Sequence, residues 1–219
     1  MRKNVKKQLA LRVLSTAALV AMVSSIATAA FAAEYDVTKG SVDILAEGGK
    51  QYITQWEDKD KDTCVKDGKG KEIRDREDSD ITLTTKNKDT GETATTGEIK
   101  TTHNAITIDA EKGNTAKVTL DNVNIDVYGV KAKSGAIEIK GDGNTNLELN
   151  GDNTVLVKNN WSEEHAAIEK ADKYGKGTLT ITDDKNDDGT AKDKDENGNA
   201  AGGDTGKLVA GGYHDAAAI

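Results

Sequence analysis

The sequence predicts an all-β fold, a right-handed parallel β-helix (solenoid) with three short strands per coil and about 31 residues per coil. Three observations lead there. The dipeptide Ala-Ile recurs at Ala105-Ile106, Ala136-Ile137, Ala167-Ile168 and Ala218-Ile219, at intervals of 31, 31 and 51 residues. Between successive pairs two further apolar segments return in the same order. They are KVTLDN from Lys117 and NIDV from Asn124, NLELNG from Asn146 and TVLV from Thr154, then GTLTIT from Gly177 and GKLVAG from Gly206. Finally, the repeated apolar positions are Ala, Ile, Val and Leu while aromatic residues make up only 4% of the chain, which suits a narrow core. The right hand follows from the chirality of parallel crossovers.

Taken in order, residues 1–33 read as an export signal. Arg2, Lys3, Lys6, Lys7 and Arg12 form a basic start, an apolar run follows from Val13, and Ala30-Phe31-Ala32 fits an A-x-A site with cleavage after Ala32. The alternative is a retained membrane helix, although Ser15, Thr16, Ser24 and Ser25 interrupt the apolar run. Export places the chain outside the cell or on its surface, without a membrane span once the signal is removed. Residues 34–80 read as an N-terminal cap and first coil. Glu34 to Trp56 supplies two or three strands that turn at Gly40 and at Gly48-Gly49, and Glu57 to Asp80 is a charged loop expected to stay out of the core.

Residues 81–219 read as the coils. DITLTTKN from Asp80 and GEIKTTH from Gly97 supply the strands that precede Ala105, and the 51-residue interval is the same unit with an acidic insertion at 183–205. Asn87, Asn124 and Asn153 each follow the last Leu of a second strand by four residues. They are expected either to stack as an Asn ladder at one corner or to be solvated turn residues. The chain stops at AAAI, where another first strand would continue, so the reading expects it to be incomplete at its C-terminus.

Charge narrows the partners. Without the five basic residues of the signal, 25 basic residues face 38 acidic ones, a formal net charge of −13. That argues against nucleic acid, and against an anionic polysaccharide unless a cation bridges the two. A single cysteine, Cys64, excludes an internal disulfide and leaves either an incidental thiol or intermolecular pairing.

Two segments carry candidate chemistry. Asp184, Asn186 and Asp188 before Gly189, then Asp193, Asp195 and Asn197 before Gly198, match the D-x-[DN]-x-[DN]-G pattern of calcium loops twice. Calcium bound by these six side chains is one reading, and a solvated acidic loop is the other. Tyr128, Trp161 and Tyr213 stand nine, seven and six residues before Ile137, Ile168 and Ile219. All three are therefore expected in the turn leading into a first strand, as an aromatic edge for stacking on sugar faces or as covers for their own turns. His103 and His165 hold equivalent places and read as turn histidines. No nucleophile motif is present, and the mature chain has only Arg74 and Arg76 as arginines, both in the charged loop.

The succession GAIEI, NLELNGDNTV, EHAAIEK, GTLTIT and GKLVA with AAAI resembles the repeats of exported bacterial carbohydrate-binding domain-containing surface proteins. The resemblance spans roughly Tyr35 to Ile219. It implies a parallel β-helix similar to pectate lyases and a calcium-assisted binder of acidic polysaccharide without clear lyase activity. The resulting expectation is a non-catalytic module for polysaccharide or cell-wall glycan. A structural or adhesive stalk and a polysaccharide lyase are the alternatives.

Overall fold

The computed structural model describes residues 33–58, 60–86, 99–128, 135–158, 165–171, 175–183, 185, 192–194, 200–201, 206–212 and 218–219. The expected export signal, Asn87, Trp161 and Tyr213 lie outside them. The fold is all-β, and the only helical turn among these residues is a 3-10 turn at Val37–Lys39. Five strands open the chain: β1 (Glu34–Asp36), β2 (Ser41–Glu47), β3 (Lys50–Trp56), β4 (Arg76–Glu77) and β5 (Ile81–Thr84). The repeats then supply β6 (Ile106–Ala110), β7 (Thr115–Asp121), β8 (Asn124–Tyr128), β9 (Ile137–Lys140), β10 (Asn144–Asn150) and β11 (Asp152–Lys158). Last come β12 (Ile168–Lys170), β13 (Leu179–Thr182), β14 (Asp193–Lys194), β15 (Ala200–Ala201) and β16 (Lys207–Gly211).

Like-placed strands of successive repeats pair in parallel. The first sheet runs β1-β5-β7-β10-β13, the second β16-β11-β8, and the third β12-β9-β6-β2 with β3 and β4 added antiparallel at its edge. Alternation of side chains sends every second residue inward, so apolar columns form wherever the repeats keep register. Val42, Ile106, Ile137 and Ile168 are consecutive partners in one column, and Leu83, Leu120 and Leu149 in another. All belong to a single core, and none of the four β-branched residues is more than 2% exposed. Each such side chain contributes ~1.5–3 kcal/mol of burial, largely offset by the entropy of ordering the chain.

The Ala-Ile dipeptide marks the step between repeats. The backbone N–H of Ile106 donates to Ala136 O at 2.9 Å, that of Ile137 to Ala167 O at 3.0 Å, and that of Ile168 to Ala218 O at 3.2 Å. The third bond spans the long interval, so the extra residues there do not disturb the register. β13 pairs with β10 and β16 with β11. Between them β14 and β15 make a small antiparallel pair. The side chain of Lys192 is 2% exposed and ion-paired with Asp183. In this last repeat Leu179, Ile181, Leu208 and Ala210 pack on the core but are only half-buried.

The Asn ladder does not form between Asn124 and Asn153. The partner of Asn124 is Thr154, because three residues (Gly151, Asp152 and Asn153) separate the ladder positions Asn150 and Thr154 where two (Asn122 and Val123) separate their partners Asp121 and Asn124. Asn153, 1% exposed, instead joins two levels of backbone. Its Oδ1 accepts from Val123 N at 2.9 Å and its Nδ2 donates to Asn150 O at 2.9 Å. One repeat earlier Thr85 does similar work: its Oγ1 donates to Asn122 O at 3.0 Å and accepts from Asn124 N at 2.9 Å.

The N-terminal end is closed by a hairpin and a lid. β2 and β3 turn at Gly48 and Gly49, with φ +57° and +77°, the left-handed pair that a two-residue hairpin turn requires. Residues 57–80 do enter the core, against the expectation from their charge. Val65 and Ile73 are 4% and 6% exposed and join the core, Cys64 is 1% exposed, and Val65 N and Ile73 O bond the two sides of Gln55 backbone. Their charged neighbours stay outside while two aliphatic side chains eight positions apart anchor the segment. Gln51 completes the closure. Beyond the start of β5 the edge of β7 has no strand partner, and the Gln51 amide supplies one, accepting from Lys117 N at 2.6 Å and donating to Lys117 O at 3.0 Å.

Candidate functional site

The second sheet carries the one residue of the expected aromatic edge that lies in a described strand. Its register sets Asn124 beside Thr154 and Val209, Asp126 beside Leu156 and Gly211, and Tyr128 beside Lys158. Ile125, Val127, Val155 and Val157 occupy the alternate positions and are buried, which fixes Asn124, Asp126, Thr154 and Leu156 on the outer face. Tyr128 is thus the last residue of a strand and not part of the turn after it. That departs from the expectation, which counted backward from the Ala-Ile pair through a link of variable length.

Asp126 is the centre of this face. Its Oδ2 accepts from Lys158 Nζ at 2.6 Å, its Oδ1 is buried with no hydrogen-bond partner, and its backbone carbonyl contacts His103 Nδ1. A buried carboxylate oxygen without a donor is costly, and the Lys158 ion pair at Oδ2 offsets part of that cost. Lys158 is 53% exposed and Val209 58% exposed, so the ion pair and an aliphatic surface are both open to a ligand. Asn124 Nδ2 donates to Thr101 Oγ1 at 2.9 Å, and Leu156 fills the space that a Cβ on Gly211 would contest. Carboxylate, ammonium, amide and hydroxyl groups thus share one strip with aliphatic carbon.

Of the six candidate calcium ligands, only Asp193 lies in a described element, with its backbone paired to Ala201 in the β14–β15 ladder. Asp184, Asn186, Asp188, Asp195 and Asn197 lie outside the described residues. Among those described, no three His, Cys, Asp or Glu side chains converge as a metal set would.

The histidines sit in separate local bonds. His165 Nδ1 contacts Glu169 Oε2 at 2.7 Å, an oxygen that also accepts from Gly135 N at 3.0 Å. Cys64 is buried, and desolvation pushes its thiol above the ordinary cysteine value, which removes it as a surface pairing partner. Sequence reasoning missed the Asp126–Lys158 pair. The signal was available: NIDVY and TVLVK align once the extra residue between Gly151 and Thr154 is counted.

Compared with family models, curated proteins and solved structures, the chain matches none. The resemblance to carbohydrate-binding surface proteins rests on the repeat residues quoted for it.

Proposed function

We propose that this chain is a right-handed parallel β-helix, exported and held outside the cell or at its surface, that acts as a non-catalytic module binding polysaccharide or cell-wall glycan. The observation that carries the reading is the repeat-on-repeat register of the second sheet, which stacks Asn124, Thr154 and Val209 on one column and Asp126 and Leu156 on the next. Columns rising at about 4.8 Å per strand match the scale of successive sugar units. Tyr128, Trp161 and Tyr213 would border this face and stack on sugar rings. Calcium held by Asp184, Asn186, Asp188, Asp193, Asp195 and Asn197 would add a bridge to acidic groups.

Glycan-array binding by the full chain tests the reading, with Asp126→Ala and Tyr128→Ala as probes. Saturable binding to at least one polysaccharide, weakened about tenfold by either change, is expected. Absence of binding across neutral and acidic glycans would leave a structural stalk in its place. Release of unsaturated product from polygalacturonate would instead make it a lyase. The calcium part is read separately, as a thermal shift on calcium addition that disappears in Asp184→Ala with Asp193→Ala.

A further inference from the structure

We propose that the cleft beneath the N-terminal lid binds a dianionic phosphoryl group. The cleft measures about 260 Å³ and lies between β1, the lid, β4 and the residues that follow β5. None of its lining residues belongs to the second sheet, so this site stands apart from the glycan face.

Its charge is opposite to that of the protein. Lys39, Lys66, Arg76 and Lys86 line it against Glu34, Asp36 and Asp67, while the chain as a whole is at −8. The acids of the lining are engaged, and the partners of Asp36 and Asp67 are local. Asp36 Oδ1 accepts from Thr38 N at 2.9 Å and Thr38 Oγ1 at 2.6 Å, and its other oxygen stands 3.9 Å from Lys39 Nζ. Asp67 Oδ1 accepts from the backbone of Lys69 at 2.9 Å and Lys71 at 3.0 Å, while Oδ2 takes Arg76 Nη2 at 2.8 Å. The ammonium groups of Lys66 and Lys86 have no ion-pair partner among the described residues.

With Glu34 counted, the lining carries four cations against three carboxylates, a net +1. The ammonium groups of Lys66 and Lys86, without an ion-pair partner among the described residues, suit a phosphoryl group, whose higher charge and three strong acceptor oxygens give them more charge-assisted hydrogen bonds than a carboxylate does. Arg76 donates Nη2 to Asp67 at 2.8 Å and to Glu72 O at 3.4 Å and interacts with Tyr35, so it sits as a fixed positive charge in the wall of the cleft. A basic cleft within an acidic surface also concentrates its field on an entering anion. The volume exceeds that of a bare phosphate, and Val65 and Ile73 add aliphatic wall for the group that carries it.

Calorimetric titration of the full chain at low ionic strength tests this, using inorganic phosphate, glycerol 3-phosphate and acetate as probes. One-to-one binding of the phosphates is expected, with acetate weaker by about tenfold. Tighter binding of glycerol 3-phosphate would mark an ester site, and equal binding a site for free phosphate. Lys66→Gln with Lys86→Gln should weaken both phosphates by about tenfold, whereas Lys112→Gln with Lys170→Gln, outside the cleft, should not. Both double variants should unfold at the temperature of the parent. Unsaturable binding, acetate as tight as phosphate, or indifference to Lys66 and Lys86 would overturn the proposal.

Discussion

Ile168 and Ala218 lie 50 positions apart in the chain yet share a backbone hydrogen bond of 3.2 Å, the same bond that Ile106 makes with Ala136 and Ile137 with Ala167. The sheet ignores what intervenes between them. An insertion enters only where the link between two strands can lengthen without shifting either one.

Removal of residues 184–205 therefore should leave the sheets intact. Asp183 joined to Gly206 through two glycines is expected to keep the far-ultraviolet β signature and to melt within about 4 °C of the parent. Loss of cooperative melting would mean that the buried Lys192 side chain belongs to the main core.

Ile137 occupies the middle of its column, with Ile106 on one side and Ile168 on the other. Ile137→Ala should cost about 2–5 kcal/mol, against under about 0.5 kcal/mol for Val209→Ala on the outer face. Urea unfolding of both variants measures the difference, and equal costs would contradict a shared core.

Gly177 lies tight against the preceding repeat, where an added Cβ would lie 1.6 Å from Gly143 O, whereas one at Gly68 would meet nothing within 4 Å. Gly177→Ala is expected to destabilise by about 2 kcal/mol or more, with Gly68→Ala near zero, read from the same denaturation curves.

The Gln51 amide stands in for a missing strand beside Lys117. Gln51→Ala should cost about 1–3 kcal/mol by leaving that backbone pair unmet. Amide hydrogen exchange at Lys117 should accelerate in the variant while that at Leu120 stays slow. Unchanged exchange at Lys117 would show that water or another group replaces the side chain.

Asp67 ties the lid turn together, and hydrogen bonds from the Lys71 and Lys69 backbone, aided by Arg76, hold its carboxyl below the ordinary aspartate value of 3.8. A depressed folded value means that its stabilisation is present above the unfolded value and is lost as pH falls through the folded one. The lid should therefore loosen in acid, at pH below 3.8, as a change in Trp56 emission. Asp67→Asn should remove that step, and an acid transition unaltered by the substitution would assign it to another carboxyl.

The sequence made the sheets legible because Ala-Ile, LELNG and TVLV repeat at intervals that the ladders reproduce. Spacing alone could not show that the corner between Asn150 and Thr154 holds one residue more than the corner before it, which sets Thr154 and not Asn153 beside Asn124, nor could a count back from the Ala-Ile pair show that Tyr128 ends a strand. The lid was hidden for a different reason. Val65 and Ile73 are isolated aliphatics in a charged stretch, and only the open end of the sheets gives them something to cover. Gln51 left no signal at all, since a side-chain amide that imitates backbone has no pattern. The Asp126–Lys158 pair was within reach, given the correct register.

The first and last described strands of the sheets differ in how they would yield to force. At the start, hairpin, lid and Gln51 clamp the first strands, while the last repeat holds Leu179, Ile181, Leu208 and Ala210 under thin cover. Parallel ladders join like-placed strands of successive repeats, so tension pulling those repeats apart loads one set of ladders at a time. Of the described repeats, the thinly covered one should part first, a ratchet-like extension at low force, with the N-terminal clamp as the last part to give way.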